Sequence, residues 1–384
     1  MSEFSELLKE WRHTLHRHPE TAMEETWTSA FVAERLKEMG IEVHTGIGGT
    51  GVIGRLRVGD SPKVVGLRAD MDALNIRETG NPEYKSEING KMHACGHDGH
   101  MATLLGAAKL LSESRDFNGT VQFLFQPGEE PGKGAKAMLA DGLLERFPMD
   151  ELYGQHNNPS YPFGTVNICR GGMASAEDNF RIDIHGRGGH ASAPEKTIDP
   201  LVIASQIILA LQTITSRNIS AFTPCVVSCT ELYMDGSHNA IPSNVTILGD
   251  CRSYAKETQS TIETRMHNIV DGICKANGAS YDFLYTHEFA PTVNWDEPVD
   301  AVVRAATEVL GPEKVDGNCV PFMASEDFGA FLEKVPGAYF LIGTSVGDEK
   351  KDIPLHNSGF DYKDDILETG ARVFAQLVRD RLPL

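Results

Sequence analysis

The sequence has no long apolar run and carries more acidic than basic residues. No stretch approaches the length that a helix needs to cross a bilayer, so we expect no membrane-spanning segment. Lys and Arg number 35 against 54 Asp and Glu, which gives a formal net charge of −19. Nucleic-acid binding is not expected, because neutralising phosphates takes clustered Lys and Arg. The net negative charge favours solubility and the binding of metal cations instead.

A secretory signal and a disulfide framework are also missing. The first residues, MSEFSELLKEWRHTLHR, contain acids where a signal peptide has a basic segment followed by an apolar one. The seven cysteines are odd in number and widely scattered, which favours reduced thiols. We therefore expect a cytoplasmic location.

The length and periodicity of the chain indicate its organisation. At 384 residues it is longer than one hydrophobic core usually supports, which predicts two domains. Apolar residues at helical spacing predict helices over residues 3–18 and 26–39. His13, His16 and His18 could form a metal tract, but their position before a proline favours a solvated helix terminus.

Ionisable residues follow three predicted apolar strands, each at its carboxyl end. The strands cover residues 63–67, 120–125 and 152–154, and the residues that follow are Arg68, Asp70, Asp72, Glu129, Glu130 and His156. In open α/β sheets this edge is where active sites form, although turns are often polar for no other reason. The pattern predicts an α/β domain with a mixed sheet flanked by helices and a site at that edge.

The pattern changes over residues 179–290. Strands and helices there follow the order β-α-β-β-α-β of a ferredoxin-like unit, whereas residues 291–384 return to helix, strand, loop and helix. We therefore predict one domain formed by residues 1–178 and 291–384, into which residues 179–290 are inserted as a second domain.

The stretch Met92–His100 has the highest density of candidate metal ligands. Imidazole and thiolate are ligands that zinc, nickel and cobalt prefer, and Cys95 with His97 directly precedes a predicted helix. The alternative is a buried cysteine beside a surface histidine.

The adjacent Glu129 and Glu130 leave the backbone in different directions, so one can bind metal while the other transfers protons, unless the pair is only a solvated acidic turn. The position of His156 and His356 after predicted strands favours a role as metal ligands, although each histidine is isolated in the sequence.

These residues belong to eight motifs that together resemble a known family. The motifs are LRADMDAL (67–74), HACGHDGH (93–100), FQPGEE (125–130), GQHNNP (154–159), GRGGHASAP (186–194), HNAIP (238–242), ASEDF (324–328) and LHNSGFDYKDD (355–365). The chain resembles, over its whole length, the aminoacylase and carboxypeptidase family of dinuclear metallopeptidases, peptidase family M20. It is most similar to the amidohydrolase branch, with N-acyl-amino-acid, hippurate and auxin-conjugate hydrolases.

The resemblance implies a centre of two divalent metal ions, which could be zinc, manganese, cobalt or nickel. Cys95 would bridge the two ions, and Glu129 would act as the general base. Asp70 stands where other branches have a histidine ligand, and whether it binds metal stays open. Asp72 would orient a ligand imidazole instead of binding metal. The implied metal ligands are Cys95, His97, Glu130, His156 and His356.

The resemblance also gives the insert a role as a lid and dimerisation domain. His190 would stabilise the oxyanion, in its own subunit or in the partner of a homodimer or higher oligomer; the alternative is a surface histidine on a flexible hairpin. Asn239 and Arg252 would bind the substrate, although a structural salt bridge is the competing role for Arg252.

The implied reaction is hydrolysis of the amide bond of an N-acyl amino acid, such as an acetyl or benzoyl derivative, to a carboxylic acid and a free amino acid. A dipeptidase or an N-carbamoyl amino acid hydrolase with the same metal centre is the main alternative. A non-catalytic protein that binds metal or ligand is a further one. The partner is thus expected to be a small molecule.

Overall fold

The structure, a computed structural model, describes residues 2–384 in two compact units. The first unit contains residues 2–173, 292–321 and 326–384, and the second contains residues 174–291 and 322–325. Among residues 2–384, no helix has both the length and the apolar character needed to span a bilayer.

The helices and strands within residues 2–384 have the following bounds in chain order. The α-helices are α1 Glu3–Arg17, α2 Thr26–Glu38, α3 His97–Ser114, α4 Gly134–Ala140, α5 Leu143–Arg146, α6 Pro200–Thr213, α7 Lys256–Asn277, α8 Asp296–Leu310, α9 Gly329–Leu332 and α10 Leu367–Arg381. The strands are β1 Glu42–Ile47, β2 Gly51–Val58, β3 Val64–Asp70, β4 Gly119–Gln126, β5 Glu151–Pro162, β6 Val166–Asn167, β7 Gly171–Ala174, β8 Ala176–His185, β9 Gly189–His190, β10 Cys225–Met234, β11 Ala240–Ile241, β12 Asn244–Ser253, β13 Ser280–Phe289, β14 Thr292–Asn294, β15 Val315–Asp316 and β16 Gly337–Ser345.

An eight-stranded mixed sheet forms the centre of the first unit. Its strand order is β1-β2-β4-β3-β5-β16-β6-β15, and the central strands β4, β3, β5 and β16 run parallel. Every residue of β4 is buried, as expected for a strand whose two faces are both covered by other elements. Helices α1, α3, α8 and α10 pack around this sheet in one hydrophobic core. The prediction of a mixed sheet flanked by helices is confirmed.

The parallel strands β3, β4 and β5 end at one edge of the sheet, which brings together the polar residues that follow them. β5 is longer than predicted, so His156 lies within the strand and not after it. Its partner β16 explains the difference, because Leu341 pairs with His156 and continues the parallel ladder beyond the apolar run.

The second unit has the element order β8-α6-β10-β12-α7-β13. Its four strands form an antiparallel sheet in the order β10-β12-β8-β13, and α6 and α7 pack on it. Buried positions alternate along β8 and β12, as in a sheet with one covered face. The unit begins at Ala174, ahead of the predicted boundary at 179, because β8 already starts at Ala176.

Candidate metal centre

The metal loop, residues 92–100, contains the start of α3. Gly96 immediately precedes the helix with φ 94°, a left-handed conformation that strains other residues. A Cβ atom on Gly96 would lie 2.5 Å from Asn157 Oδ1. This turn makes His97 the first residue of α3, whereas the sequence predicts that His97 precedes the helix, and it allows the helix to fix the direction of the His97 ring.

His97 presents an unpartnered ring nitrogen to three carboxylates. Its Nδ1 donates to the carbonyl oxygen of Asp72 at 2.8 Å, which leaves Nε2 free. Buried Nε2 has no hydrogen-bond partner and lies 3.8–4.0 Å from oxygens of Asp70, Glu129 and Glu130. Burial alone would lower the pKa of His97, but the charges of Asp70 and Asp72 raise it to about 10. Such a site is suited to a cation.

Cys95 lies between two imidazoles. Its Sγ is 3.4 Å from His156 Nε2 and 3.3 Å from His356 Nε2. Burial, followed by the charges of Glu130 and Glu129, raises the pKa of the thiol well above its ordinary value. A bound metal ion would deprotonate such a thiol, because it stabilises the thiolate directly.

Glu129 lies with His97 and Glu130 in one group of possible ligands, and two further groups share Cys95. One group is Cys95, His97 and His156, and the other is Cys95, Glu130 and His356; in each group the possible ligand atoms lie within 4.8 Å of one another. Buried Glu130 Oε1, like His97 Nε2, has no hydrogen-bond partner among the described residues. Because thiolate, imidazole and carboxylate suit divalent transition metals, these residues fit the predicted pair of ions.

Backbone contacts hold the two remaining imidazoles in place. His156 Nδ1 donates to the Asn157 carbonyl at 2.7 Å, so its Nε2 is directed at Cys95. His356 has φ 63°, which is uncommon for a residue other than glycine, and its backbone N–H donates to the Ala94 carbonyl at 2.8 Å. This bond joins the segment after β16 to the metal loop.

Asp72 orients both sides of the centre. Besides the bond from its carbonyl to His97, its carboxylate accepts the backbone N–H groups of Glu129 and Glu130, each at 3.0 Å. The turn after β4 is thereby fixed, and the two glutamates diverge. Glu130 Oε1 lies 3.4 Å from His356 Nε2, whereas the Glu129 carboxylate lies beside Glu326 and Asp327.

A buried arginine network surrounds the Glu129 side of the centre, and sequence reasoning gave it no role. Arg68 contacts Glu326 at 2.8 Å, Asp70 at 2.7 Å and Asp327 at 3.2 Å. Burial and the charge of Glu326 raise the pKa of Glu129 well above its ordinary value. The ASEDF motif was the available signal, but sequence cannot show that its two acids lie opposite Arg68.

Both carboxylate oxygens of Asp70 contact other side chains. One oxygen accepts from Arg68, and the other lies 2.6 Å from His100 Nδ1. His100 also contacts the side chain of Asn157 at 2.6 Å. Asp70 thus connects Arg68 to the second turn of α3, while its nearer oxygen stays 3.8 Å from His97 Nε2.

The three remaining predicted site residues lie in the second unit. His190 on β9 pairs with Ala240 on β11, and Ala191 N donates to the Asn239 carbonyl at 3.0 Å, so His190 and Asn239 are neighbours. Arg252 lies far along β12, roughly 26 Å from Asn244 at about 3.3 Å per residue. Its guanidinium forms ion pairs with Glu177 and Asp250, each at 2.9 Å.

Comparison with known proteins identifies the class. The sequence profile described as Peptidase family M20/M25/M40 matches residues 66–380. The chain is 42% identical to a hippurate hydrolase of Campylobacter jejuni, over 95% of this chain and 94% of that protein. It is 38% identical to thermostable carboxypeptidase 2 of Saccharolobus solfataricus, over 98% of this chain and 96% of that protein.

A solved structure agrees with these relatives. The Bacillus subtilis YXEP protein, described as a dinuclear metal binding peptidase from the M20 family, superposes with a TM-score of 0.85 at 31% identity, over 98% of this chain and 97% of that one. The chain belongs to Peptidase family M20/M25/M40. The prediction of a metal-dependent amidohydrolase is confirmed at this level.

Proposed function

We propose that the protein hydrolyses the amide bond of N-acyl amino acids, releasing a carboxylic acid and a free amino acid. The observation that carries this proposal is the arrangement of two ligand groups around Cys95, with the buried carboxylate of Glu129 beside them. The similarity to a hippurate hydrolase favours aromatic or small acyl groups on the substrate.

The proposed centre holds two divalent ions, of zinc, manganese, cobalt or nickel. Cys95, His97 and His156 would hold one ion, and Cys95, Glu130 and His356 the other. When bound, the ions supply Lewis-acid polarisation of the substrate carbonyl and of the attacking water. The buried carboxylates at this edge of the sheet would also gain a compensating positive charge.

Glu129 is the proposed general base. It takes a proton from the attacking water and returns it to the nitrogen of the leaving amino acid. Glu129 lies outside the two groups that share Cys95, and in this proposal its lone pairs are kept for the proton transfer. Arg68 and Asp72 support it, Arg68 by holding Glu326 and Asp327 beside the base and Asp72 by fixing the backbone.

We assign oxyanion stabilisation to His190, following the family resemblance. Its Nδ1 accepts from the Ser192 backbone N–H at 3.2 Å and lies 2.7 Å from the Ser192 hydroxyl, so that Nε2 carries the proton that would be donated. The neighbouring Asn239 would bind the substrate with it. Arg252 would have to give up part of its pairing with Glu177 and Asp250 to bind a substrate carboxylate. We further propose that the second unit acts as a lid and dimerisation domain in a homodimer.

A substrate panel tests the proposal. Protein supplied separately with Zn²⁺, Mn²⁺, Co²⁺ or Ni²⁺ is assayed on N-acetyl, N-benzoyl and N-carbamoyl amino acids and on dipeptides. We expect the highest kcat/KM on an N-acetyl or N-benzoyl substrate and loss of activity after chelation. Preference for carbamoyl substrates or dipeptides would replace the proposed substrate class, and full activity without bound metal would refute the mechanism.

A further inference from the structure

Arg12 on α1 is a fully buried cation that contacts three carboxylates. Its Nη1 lies 3.3 Å from Asp98 and 3.4 Å from Asp361, and its Nε lies 2.5 Å from Asp364. The ring of Tyr84 covers the guanidinium at 4.4 Å. Burying a charge is costly unless partners compensate it, so Arg12 and its carboxylates hold one another in place.

The carboxylates that Arg12 contacts belong to two ligand-bearing segments. Asp98 directly follows the ligand His97, and Asp361 lies in the segment that carries His356. The Tyr84 hydroxyl donates its one proton to the Asp361 carboxylate, whose oxygens lie 3.0 and 2.9 Å away, and so fixes that end of the network. One guanidinium on the first helix therefore joins segments from the early and late parts of the chain.

His16, one turn further along α1, strengthens the same contact. Its ring is 1% exposed, and Nδ1 lies 2.8 Å from Asp98 Oδ2 while Nε2 lies 3.5 Å from Glu78. The prediction of a solvated helix terminus is therefore wrong for His16. The periodicity of α1 could not reveal this, because the partner carboxylate comes from α3.

We propose that Arg12 is a positioning residue for the metal centre. By holding Asp98 and Asp361 together, it keeps the segment of Cys95 and His97 close to His356. Cys95 can then contribute its thiolate to both ligand groups. A planar guanidinium can contact several carboxylates in fixed directions, which a lysine ammonium cannot. The inference rests on the proposed metal centre, since it assigns Arg12 a role in assembling that centre.

The experiment uses cobalt as the probe, because its visible spectrum reports ligand geometry independently of activity. Wild-type protein, Arg12→Lys and Asp361→Asn are loaded with Co²⁺ and challenged with increasing EDTA while bound cobalt and the spectrum are followed. Loss of groups that orient metal ligands typically weakens metal binding about 10–100-fold. We expect Arg12→Lys to lose cobalt at about tenfold lower EDTA, with an altered spectrum, and Asp361→Asn to show a smaller shift in the same direction.

Arg381→Lys is the matched control. Arg381 also joins two elements of the first unit, since it contacts Glu151 at the start of β5 and Glu297 on α8, away from the ligands. We expect this variant to keep the wild-type cobalt spectrum and EDTA resistance. The half-exposed Asp361 provides a variant that should fold even if Arg12→Lys does not.

Three outcomes would overturn the inference. Equal cobalt retention and spectra in wild type, Arg12→Lys and Asp361→Asn would refute the role of Arg12 alone. Equal cobalt loss in Arg381→Lys would show a general effect of destabilisation. If wild-type protein bound no cobalt or other divalent metal, the proposed centre itself would fail, and the positioning role with it.

Discussion

Glu129 and Glu130 are chemically identical neighbours with different surroundings. Asp72 fixes both of their backbone N–H groups, so the two side chains leave the turn in different directions. Glu130 faces His356, whereas Glu129 faces Glu326 and Asp327. The proposed roles of Glu130 as ligand and Glu129 as base thus depend on one carboxylate that accepts two adjacent backbone N–H groups.

Glu129→Gln tests this division. The amide keeps the shape of the side chain but cannot take a proton, so we expect turnover to fall about 10²–10⁴-fold on every substrate. Metal content, measured by elemental analysis, should stay at the wild-type level because Glu129 belongs to neither proposed ligand group. Glu308→Gln, at an exposed position on α8, is the control and should leave turnover unchanged. Near-normal turnover in Glu129→Gln would remove the general-base assignment.

At the scale of elements, the start of α3 depends on Gly96. Alanine there would adopt a left-handed conformation, at a backbone cost of about 1–2 kcal/mol, and its Cβ would press on Asn157. We expect Gly96→Ala to lower the thermal unfolding temperature and to reduce metal content. Gly272→Ala is the matched control, because a Cβ at this position within α7 meets nothing within 4 Å. Replacing a mid-helix glycine should stabilise by about 0.5–1 kcal/mol. Normal metal content in Gly96→Ala would contradict the expectation.

The junction of β5 with α10 predicts a pH dependence of stability. Burial raises the pKa of Glu151, but hydrogen bonds from Arg381 and Tyr153 outweigh this and lower it below 4.5. A carboxyl whose pKa is lowered on folding contributes stability above its unfolded pKa and loses it as pH falls through the folded pKa. The stability difference between wild type and Glu151→Gln should therefore be full at pH 7 and shrink below pH 4.5.

Tryptophan fluorescence can measure this difference, since Trp11, Trp27 and Trp295 all lie in the first unit. Urea unfolding midpoints are compared for wild type and Glu151→Gln from pH 7 to pH 3, with Glu313→Gln as an exposed control. A difference between the variants that stays constant across this range would refute the assigned ion pair.

The sequence pattern predicts much of this fold because the parallel strands and the candidate site residues meet at the same edge of the sheet. Three apolar runs followed by polar residues were enough to place Asp72, Glu129 and His156 near the same sheet edge. Contacts between segments that are distant in sequence could not be predicted from the local pattern. The buried contact of His16 depends on Asp98, and the extent of β5 depends on β16. The Arg68 network was missed for the same reason, because Glu326 and Asp327 are distant from Arg68 in the sequence.

At the scale of the whole molecule, the proposed homodimer predicts complementation between subunits. If His190 acts on the partner's metal centre, mixing His190→Ala with Glu129→Gln should restore hydrolysis, because a mixed dimer has one centre with an intact base and an intact donor. Each variant alone should have low activity. Subunit exchange must be demonstrated independently, for example with differently tagged chains. If subunits exchange and hydrolysis is still not restored, His190 acts on the metal centre of its own subunit.

The backbone bond between His356 and Ala94 also bears on how the protein is made. His356 lies near the end of the chain, so a growing polypeptide presents Cys95 and His97 long before their late partners have been synthesised. The sheet is completed equally late, because β16 pairs with β5 and α10 packs in the same core. We therefore expect metal loading to follow synthesis of the segment that carries His356.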